Sequence, residues 1–411
     1  MPKIYLLDVT NRDGVQTAHL GLAKIEKTIV NMYLNEMGVY QSEFGFPTTR
    51  HETNYLNANL ELSDLKVLSP IRLSGWMRAV KKDVEVAYQL VPKLKYMNLS
   101  ISTSDQMLSG KFQGKMSRQD VIQSMVEATQ FALQAGAEGV GVNAEDASRT
   151  DIDFLVEFAQ AAKEAGAERF RYCDTLGYDS PFSIYDRILK IGEAVKMPLE
   201  LHCHNDLGMA VANSVSGAKA SIDAECDVFV NTTVNGVGER SGNADLVSVI
   251  LAVRYANYFD NNNYMLDENV NLKAAWKTCK YASYAFKVPI AITQPGVGAN
   301  AFAHASGIHA DGVIKDRKNY ELYDFEELGR GEPEIIETGR QIVVGEYSGI
   351  RGFRNVYDNL EVEFKDEEEA REILELTRFA NVEKQKPLVE EELPFIAHYP
   401  KQAKKILTLV P

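Results

Sequence analysis

Eight short runs of β-branched and aromatic residues, each followed by a stretch with helical spacing, fill the first part of this chain. The runs are IYLLDVT (from Ile4), YQSEFGF (from Tyr40), IRLSGWM (from Ile71), YMNLSIS (from Tyr96), GVGVNAE (from Gly139), RFRYCDT (from Arg169), PLELHCH (from Pro198) and VFVNTTV (from Val228). Between them apolar residues recur by three and four, as at Leu22, Ile25, Ile29, Met32 and Met37, which predicts amphipathic helices. Met37-Gly38 reads as a helix end with its glycine cap, and the stretch from Phe131 to Gly136 ends another in the same way. Strand–helix units in succession give a parallel sheet, and eight of them in about 250 residues suit a closed barrel. An open doubly wound sheet would place a glycine-rich phosphate loop after its first strand. Here Asn11-Arg12-Asp13-Gly14 follows, which is no such loop. The expectation is an α/β chain: a TIM (β/α)8 barrel over residues 1–258, then a smaller, mainly helical C-terminal region over 259–411.

In that second region FDNNNYML reads as a polar break and linker. A helix is expected from Leu272 to Phe286, followed by the glycine-containing segment QPGVGANAFAHASGIHADG. The end of the chain is charged and helical, most clearly at EEEAREILELTRFA, while KQKPLVEEELP reads as solvated surface without chemistry.

Composition narrows the function classes. With 45% hydrophobic and 25% charged residues, the chain is an ordinary globular one, not collagen, a coiled coil or a disordered polymer. Its longest apolar runs fall short of the ~20 residues of a membrane helix. The start, Met-Pro-Lys-Ile-Tyr, runs straight into a strand and reads as no signal peptide. The net charge of −14 repels nucleic acid and anionic lipid, so neither is an expected partner. An anionic substrate would need cations gathered locally. Cys173, Cys203, Cys226 and Cys279 show no CxxC spacing and suit small core positions in a reducing cytoplasm.

In a barrel the chemistry gathers at the C-terminal ends of the strands. The first run ends at Asp8-Val9-Thr10 and continues into Arg12 and Asp13. The second holds Glu43; the fourth ends near Ser100, Ser102 and Ser104; the fifth ends at Asn143 and Glu145. The sixth ends at Asp174-Thr175, the seventh is Glu200-x-His202-x-His204, and the eighth carries Asn231 and Thr233. Alternation puts Glu200, His202 and His204 on one face and Leu199, Leu201 and Cys203 on the other. Two imidazoles at i and i+2 suit a metal ion, with Asp13 as a third ligand. Such a set leaves positions open for water and substrate oxygens. The alternative is a pair of polar lumen histidines without metal.

Other residues carry two readings each. Arg12 either stabilises an oxyanion or grips a carboxylate, or forms an internal salt bridge to Glu43 or Glu200. His304 and His309 share a glycine-flanked loop, where a histidine serves as a general base or simply packs. Arg50 and His51 sit at the mouth or on the surface. The glycines between Asn235 and Asn243 either cradle a phosphate or form turns.

These strings also resemble a known family. DVTNRDGVQT is similar to the first-strand signature D-T-T-L-R-D-G-x-Q of the metal-dependent 2-oxo acid acyltransferases and lyases. NAEDASRTD, DTLG, LHCHNDLGMAVANS, NGVGERSGNADL and AFAHASGIHADG follow in the family's order and spacing, over nearly the whole chain. HxHND with GxGERxGN is the specific pair. It resembles the branch of isopropylmalate, homocitrate and citramalate synthases, which join acetyl-CoA to a 2-oxo acid.

The resemblance implies a barrel, a homodimer, acetyl-CoA as co-substrate and a divalent ion, Mn²⁺ first, with Mg²⁺, Co²⁺ and Zn²⁺ open. It implies Asp13, His202 and His204 as metal ligands and Arg12 as oxyanion stabiliser. It places Gln16, Glu43 and Thr175 at substrate or beside it. It implies Glu145 and His309 as catalytic acid/base residues, with His309 reaching the partner subunit's site and His304 as its neighbour.

Departures from the pattern bear on the substrate. Homocitrate synthases tend to carry an arginine on the fifth strand where Gly141 and Asn143 stand here, and the chain is too short for the large regulatory domain of isopropylmalate synthases. DVTNRDGVQT and SEFGFPTTRHETNYLN resemble the Re-stereospecific citrate synthases, which use oxaloacetate; Arg50 or Arg78 would then read the distal carboxylate. The alternatives are homocitrate, isopropylmalate or citramalate synthesis, an acyl-CoA lyase or aldolase, and a non-catalytic metal-binding scaffold. Against the lyase stands the absence of a cysteine between Asn235 and Asn243.

Overall fold

Each of the eight runs becomes a parallel strand in the computed structural model, which describes residues 1–257, 259, 264–334 and 338–408. The strands are β1 (Lys3–Asp8), β2 (Gln41–Gly45), β3 (Arg72–Arg78), β4 (Tyr96–Ser102), β5 (Gly139–Glu145), β6 (Arg169–Asp174), β7 (Leu199–Cys203) and β8 (Val228–Thr232). They pair in chain order, and β1 closes the ring, with Ile4–Asp8 beside β8 and Leu7↔Gln41 and Asp8↔Ser42 beside β2. The chain is thus a closed eight-stranded barrel.

The surrounding helices are α1 (Lys24–Glu36), α2 (Thr53–Asp64), α3 (Lys81–Leu90), α4 (Asp105–Gly110), α5 (Arg118–Gln134), α6 (Ile152–Glu164), α7 (Pro181–Val195), α8 (Ala210–Asp223) and α9 (Leu246–Tyr255). Their apolar stripes bury residues such as Ile25, Ile29 and Leu34 against the outer strand faces. Gly38 ends α1 at φ +71°, where a Cβ would lie 1.7 Å from the Asn269 carbonyl oxygen. Only glycine meets both demands.

Inside the barrel the layers change character from bottom to top. Tyr5 and Phe229 stack at 4.7 Å at the base, and the Arg169 guanidinium lies over Phe229. Above them Glu43, Glu200, Arg169 and Arg171 fill the lumen, fully buried. Each carboxylate meets two guanidiniums: Arg12 and Arg171 on Glu43, Arg169 and Arg171 on Glu200. Asn98 and Asn231 donate to the same carboxylates at 2.5 and 2.7 Å. Buried charges are tolerated when paired and hydrogen-bonded in this way.

The region beyond the barrel is helical: α10 (Ala275–Phe286), α11 (Gly307–Lys315), α12 (Ile350–Asn359), α13 (Glu367–Lys384), α14 (Glu392–His398) and α15 (Pro400–Ile406). Two expectations change here. Of the polar break FDNNNYML, residues 260–263 lie outside the described residues, Phe259 is buried, and Met265–Leu266 forms β9, which pairs with Lys3 and Ile4 of β1. The segment KQKPLVEEELP is not simply solvated surface. Lys384 and Glu392 are buried and ion-paired, with the Tyr281 hydroxyl donating to Glu392 at 2.9 Å. Lys386 pairs with the buried Glu26 of α1 at 2.6 Å. The charges enter the interior as pairs, Lys384 with Glu392 and Lys386 with Glu26 of α1, and the Tyr281 hydroxyl of α10 adds a hydrogen bond to the first.

Candidate active site

The C-terminal ends of the strands surround a cavity of about 240 Å³. Arg12, Asp13, Gln16, Glu145, Thr175, His202 and His204 all line it. Far apart along the chain, they are gathered by the barrel topology.

Asp13 stands in the first turn after β1, and His202 and His204 are carried by β7 and the residue following it. The three ligand atoms lie within 4.8 Å of one another. Nε2 of His202 is 3.0 Å and Nε2 of His204 3.6 Å from Oδ2 of Asp13. Burial pushes both imidazoles down, His204 to about 3, aided there by the neighbouring His202. Burial alone would raise Asp13, but the Arg12 guanidinium holds its carboxyl well below the usual range. All three donors are therefore in the deprotonated form that a metal ion requires. Asn243 adds to the set: its amide lies 3.5 Å from Asp13, and its buried Oδ1 has no hydrogen-bond partner among the described residues. A Cβ at Gly238 would sit 1.9 Å from that oxygen. The glycine loop thus forms turns, with Gly236 and Gly242 at positive φ, and delivers Asn243 to the end of β7. The donor set fits a divalent ion.

Arg12 forms the internal salt bridge, to Glu43, and leaves room for the other reading. Its Nε bonds Glu43 at 2.7 Å and its Nη1 lies 3.1 Å from Asp13, yet it lines the cavity with N–H groups to spare. Glu43 itself lies below, buried under Arg12 and Arg171, and supports the cavity without lining it. Burial would raise its carboxyl, but Arg171 and Arg12 hold it down to about 2. Thr175 accepts from the Asp146 amide at 2.8 Å. Glu145 accepts from Lys111 at 2.8 and 2.6 Å and from Ser102 at 2.5 Å.

Other expected residues lie elsewhere. The Arg78 side chain is 72% exposed and bonds Asp83 at 2.9 and 2.7 Å, so it does not enter the cavity. Asp83, five residues on, captures it in the first turn of α3. Arg50 and His51 are exposed in a 3-10 turn. His304 contacts Glu321 at 3.2 Å, and the exposed His309 stacks on Tyr320 at 4.3 Å. Neither lines this chain's own cavity.

Sequence reasoning passed over Lys111, Asn243 and Tyr320, and gave no role to Ser100, Asn143 and Trp76, which line the cavity. Asn143 is fully buried, and neither polar atom of its amide has a partner among the described residues. At Gly141 a Cβ would lie 2.3 Å from Asn98 Oδ1, so the lumen network fills the place a larger side chain would take. Cys173 also lines the cavity, but burial pushes its thiol up and keeps it protonated.

Comparison with known proteins places these observations. Residues 3–281 match the HMGL-like family model, and residues 297–385 match the model for a homocitrate synthase post-HMGL domain-like segment. The chain is 60% identical to the Citrate (Re)-synthase of Dehalococcoides mccartyi, over 100% of this chain and 99% of that protein. It is 38% identical to 2-isopropylmalate synthase 2 of Caldanaerobacter subterraneus subsp. tengcongensis, over 96% and 94%, and 33% identical to Homocitrate synthase 1 of a Nostoc species, over 96% of each. Among solved structures the Bacillus subtilis HMG-CoA lyase shares the fold, with a TM-score of 0.56 at 17% identity, over 71% of this chain and 97% of the lyase.

Proposed function

The chain belongs to the HMGL-like family, in the branch with a homocitrate synthase-type segment behind the barrel, and from that premise we propose that it condenses acetyl-CoA with oxaloacetate and water to give citrate and CoA. It is an acyltransferase of the citrate, homocitrate and isopropylmalate synthase type. The observation that carries the reading is the convergence of Asp13, His202, His204, Arg12 and Glu145 on one cavity. The choice of oxaloacetate rests on the 60% full-length identity to a Citrate (Re)-synthase and on the filled space beside Gly141.

Asp13, His202, His204 and Asn243 are the residues that would hold a divalent ion, Mn²⁺ by preference. When bound, the ion supplies Lewis-acid polarisation of the keto oxygen. Arg12, fixed from below by Glu43, donates to the alkoxide that develops at that oxygen. His309 removes a proton from the acetyl methyl group, its ring stacked on Tyr320. The resulting carbanion attacks the keto carbon, Glu145 relays protons, and water cleaves the thioester.

His309 is assigned to the cavity of a second copy of the chain. In support, α11, which carries it, buries none of its residues within the chain. Ile308 and Ile314 on it are 75% and 85% exposed and are available to a partner. Leu176, Tyr178, Phe182 and Leu207 near the barrel mouth are exposed too. A homodimer covering both patches brings the histidine to the acyl group. No described helix is long and apolar enough to cross a membrane.

The test is thiol release from acetyl-CoA with Mn²⁺ and either oxaloacetate or 2-oxoglutarate. Release with oxaloacetate alone supports the proposal. Release with 2-oxoglutarate alone makes the chain a homocitrate synthase and overturns the reading of Gly141.

A further inference from the structure

A dicarboxylic 2-oxo acid has two ends. Its 2-oxo acid end belongs with Asp13, His202 and His204, on β1 and β7. Across the barrel from them stands the wall of β4 and β5. That wall holds Ser100 opposite Asn143 in register and Ser102 opposite Glu145, one layer higher. It offers an uncommitted amide at Asn143 and a negative charge at Glu145, and by itself the charge repels a carboxylate.

The cations nearest to this wall are accounted for one by one. Arg12 and Arg171 line the cavity, but buried bonds anchor Arg12 to Glu43 and Arg171 to Glu43 and Glu200, and the N–H groups Arg12 has to spare are assigned to the keto oxygen. Arg78 is held outside by Asp83, Arg149 by Asp146, and Arg240 by Asp206. Lys111 is not itself a lining residue, but unlike Arg78, Arg149 and Arg240 it is paired with a carboxylate that lines the cavity, Glu145. It follows α4, ahead of a turn through Gln113 at φ +55° and Gly114 at φ +69°, and its ammonium reaches back to Glu145 and Ser102. The side chain is 47% exposed, so this pair is a solvated one, which holds weakly. An ammonium on a four-carbon stem also exchanges partners more readily than a guanidinium fork.

We infer that Lys111 is a specificity-determining residue: the substrate's far carboxylate takes its ammonium over from Glu145, with the Asn143 amide completing the contact. No bond is made or broken; one ion pair replaces another. The exchange does two things. It gives the far carboxylate a counter-charge, and it releases Glu145, whose oxygens are otherwise occupied by Lys111 and Ser102. Glu145 becomes available for proton transfer only once a dicarboxylate is seated. A monocarboxylic oxo acid leaves Lys111 where it is.

This inference rests on the proposed use of a dicarboxylic oxo acid, and the experiment separates the two. The Mg²⁺-loaded protein is titrated with freshly dissolved oxaloacetate and with pyruvate, following the fluorescence of Trp76 in the cavity wall and the heat of binding. Wild type, Lys111→Met and Lys111→Arg are compared. The expected result is that Lys111→Met weakens oxaloacetate at least tenfold and moves pyruvate less than twofold, while Lys111→Arg restores most of the difference. An unchanged thermal midpoint shows that the folded chain is intact. If wild type prefers oxaloacetate and Lys111→Met keeps that preference, the role of Lys111 is overturned while the substrate stands. If wild type itself binds pyruvate as tightly as oxaloacetate, the substrate reading falls and takes the inference with it.

Discussion

Glu43 shows how much of the site depends on a residue that never touches the cavity. It is fully buried, it anchors Arg12 and Arg171, and its carboxyl is held down to about 2. The folded-state value lies below the ordinary 4.5, so the group contributes stability above that pH and loses it as pH falls toward 2. A shift of this size corresponds to roughly 3 kcal/mol. Glu43→Gln should remove that part of the acid dependence and, by leaving two guanidiniums short of charge, cost about 3–5 kcal/mol near neutrality. Urea unfolding of both proteins from pH 2 to 7 measures this; parallel curves would show that Glu43 is not the titrating anchor. Gly238 makes a second case. Its substitution by alanine places a methyl group against Asn243 Oδ1. If Asn243 is a ligand, Gly238→Ala and Asn243→Ala should each weaken Mn²⁺ binding by about 10–100-fold, with circular dichroism unchanged. Calorimetric titration with Mn²⁺ that finds wild-type affinity in Asn243→Ala removes it from the donor set.

At the scale of elements, legibility follows from how locally each one is specified. The eight strands are readable because each is a short apolar run ending in polar residues, and the glycine after α1 marks its end. Asp13, His202 and His204 are readable because a barrel fixes where strand ends meet. β9 is not readable: two residues after a polar break carry no period, and only its pairing with β1 defines it. Lys111 and Tyr320 were missed for a related reason. Their partners, Glu145 and His309, lie in other elements, and a lone lysine or tyrosine in a loop has no pattern. The same holds for the C-terminal helices, where Lys384 and Glu392 look like surface charges until α10 and α1 surround them. This gives a prediction at the same scale. Lys384→Met strands the Glu392 carboxylate in the interior and should destabilise the docking of α13 and α14 by about 3–5 kcal/mol. Hydrogen exchange should then rise in those helices and leave β1–β8 protected. Uniform loss of protection would mean that helices and barrel unfold as one unit.

The whole molecule brings together a lined cavity and a proposed base that lies outside it. Within one chain the proposed metal ligands, Arg12 and Glu145 surround a common space, while His309 stands outside it on a helix with two exposed isoleucines. The proposed symmetric dimer would account for both features, because each copy would then complete its partner's site. Two inactive variants distinguish this arrangement from a loop that folds back on its own barrel. His204→Ala breaks the cavity and leaves the base intact; His309→Ala does the opposite. Each homodimer should be inactive in thiol release. A heterodimer purified through two different tags contains one unbroken cavity, that of the His309→Ala chain, facing the other chain's intact His309. If the base acts across the interface, this species should recover about half of the wild-type rate per dimer. If the base acts on its own barrel, the unbroken cavity belongs to the chain that has lost its base and the heterodimer stays inactive, because no pairing of these two chains then joins a working base to a working cavity.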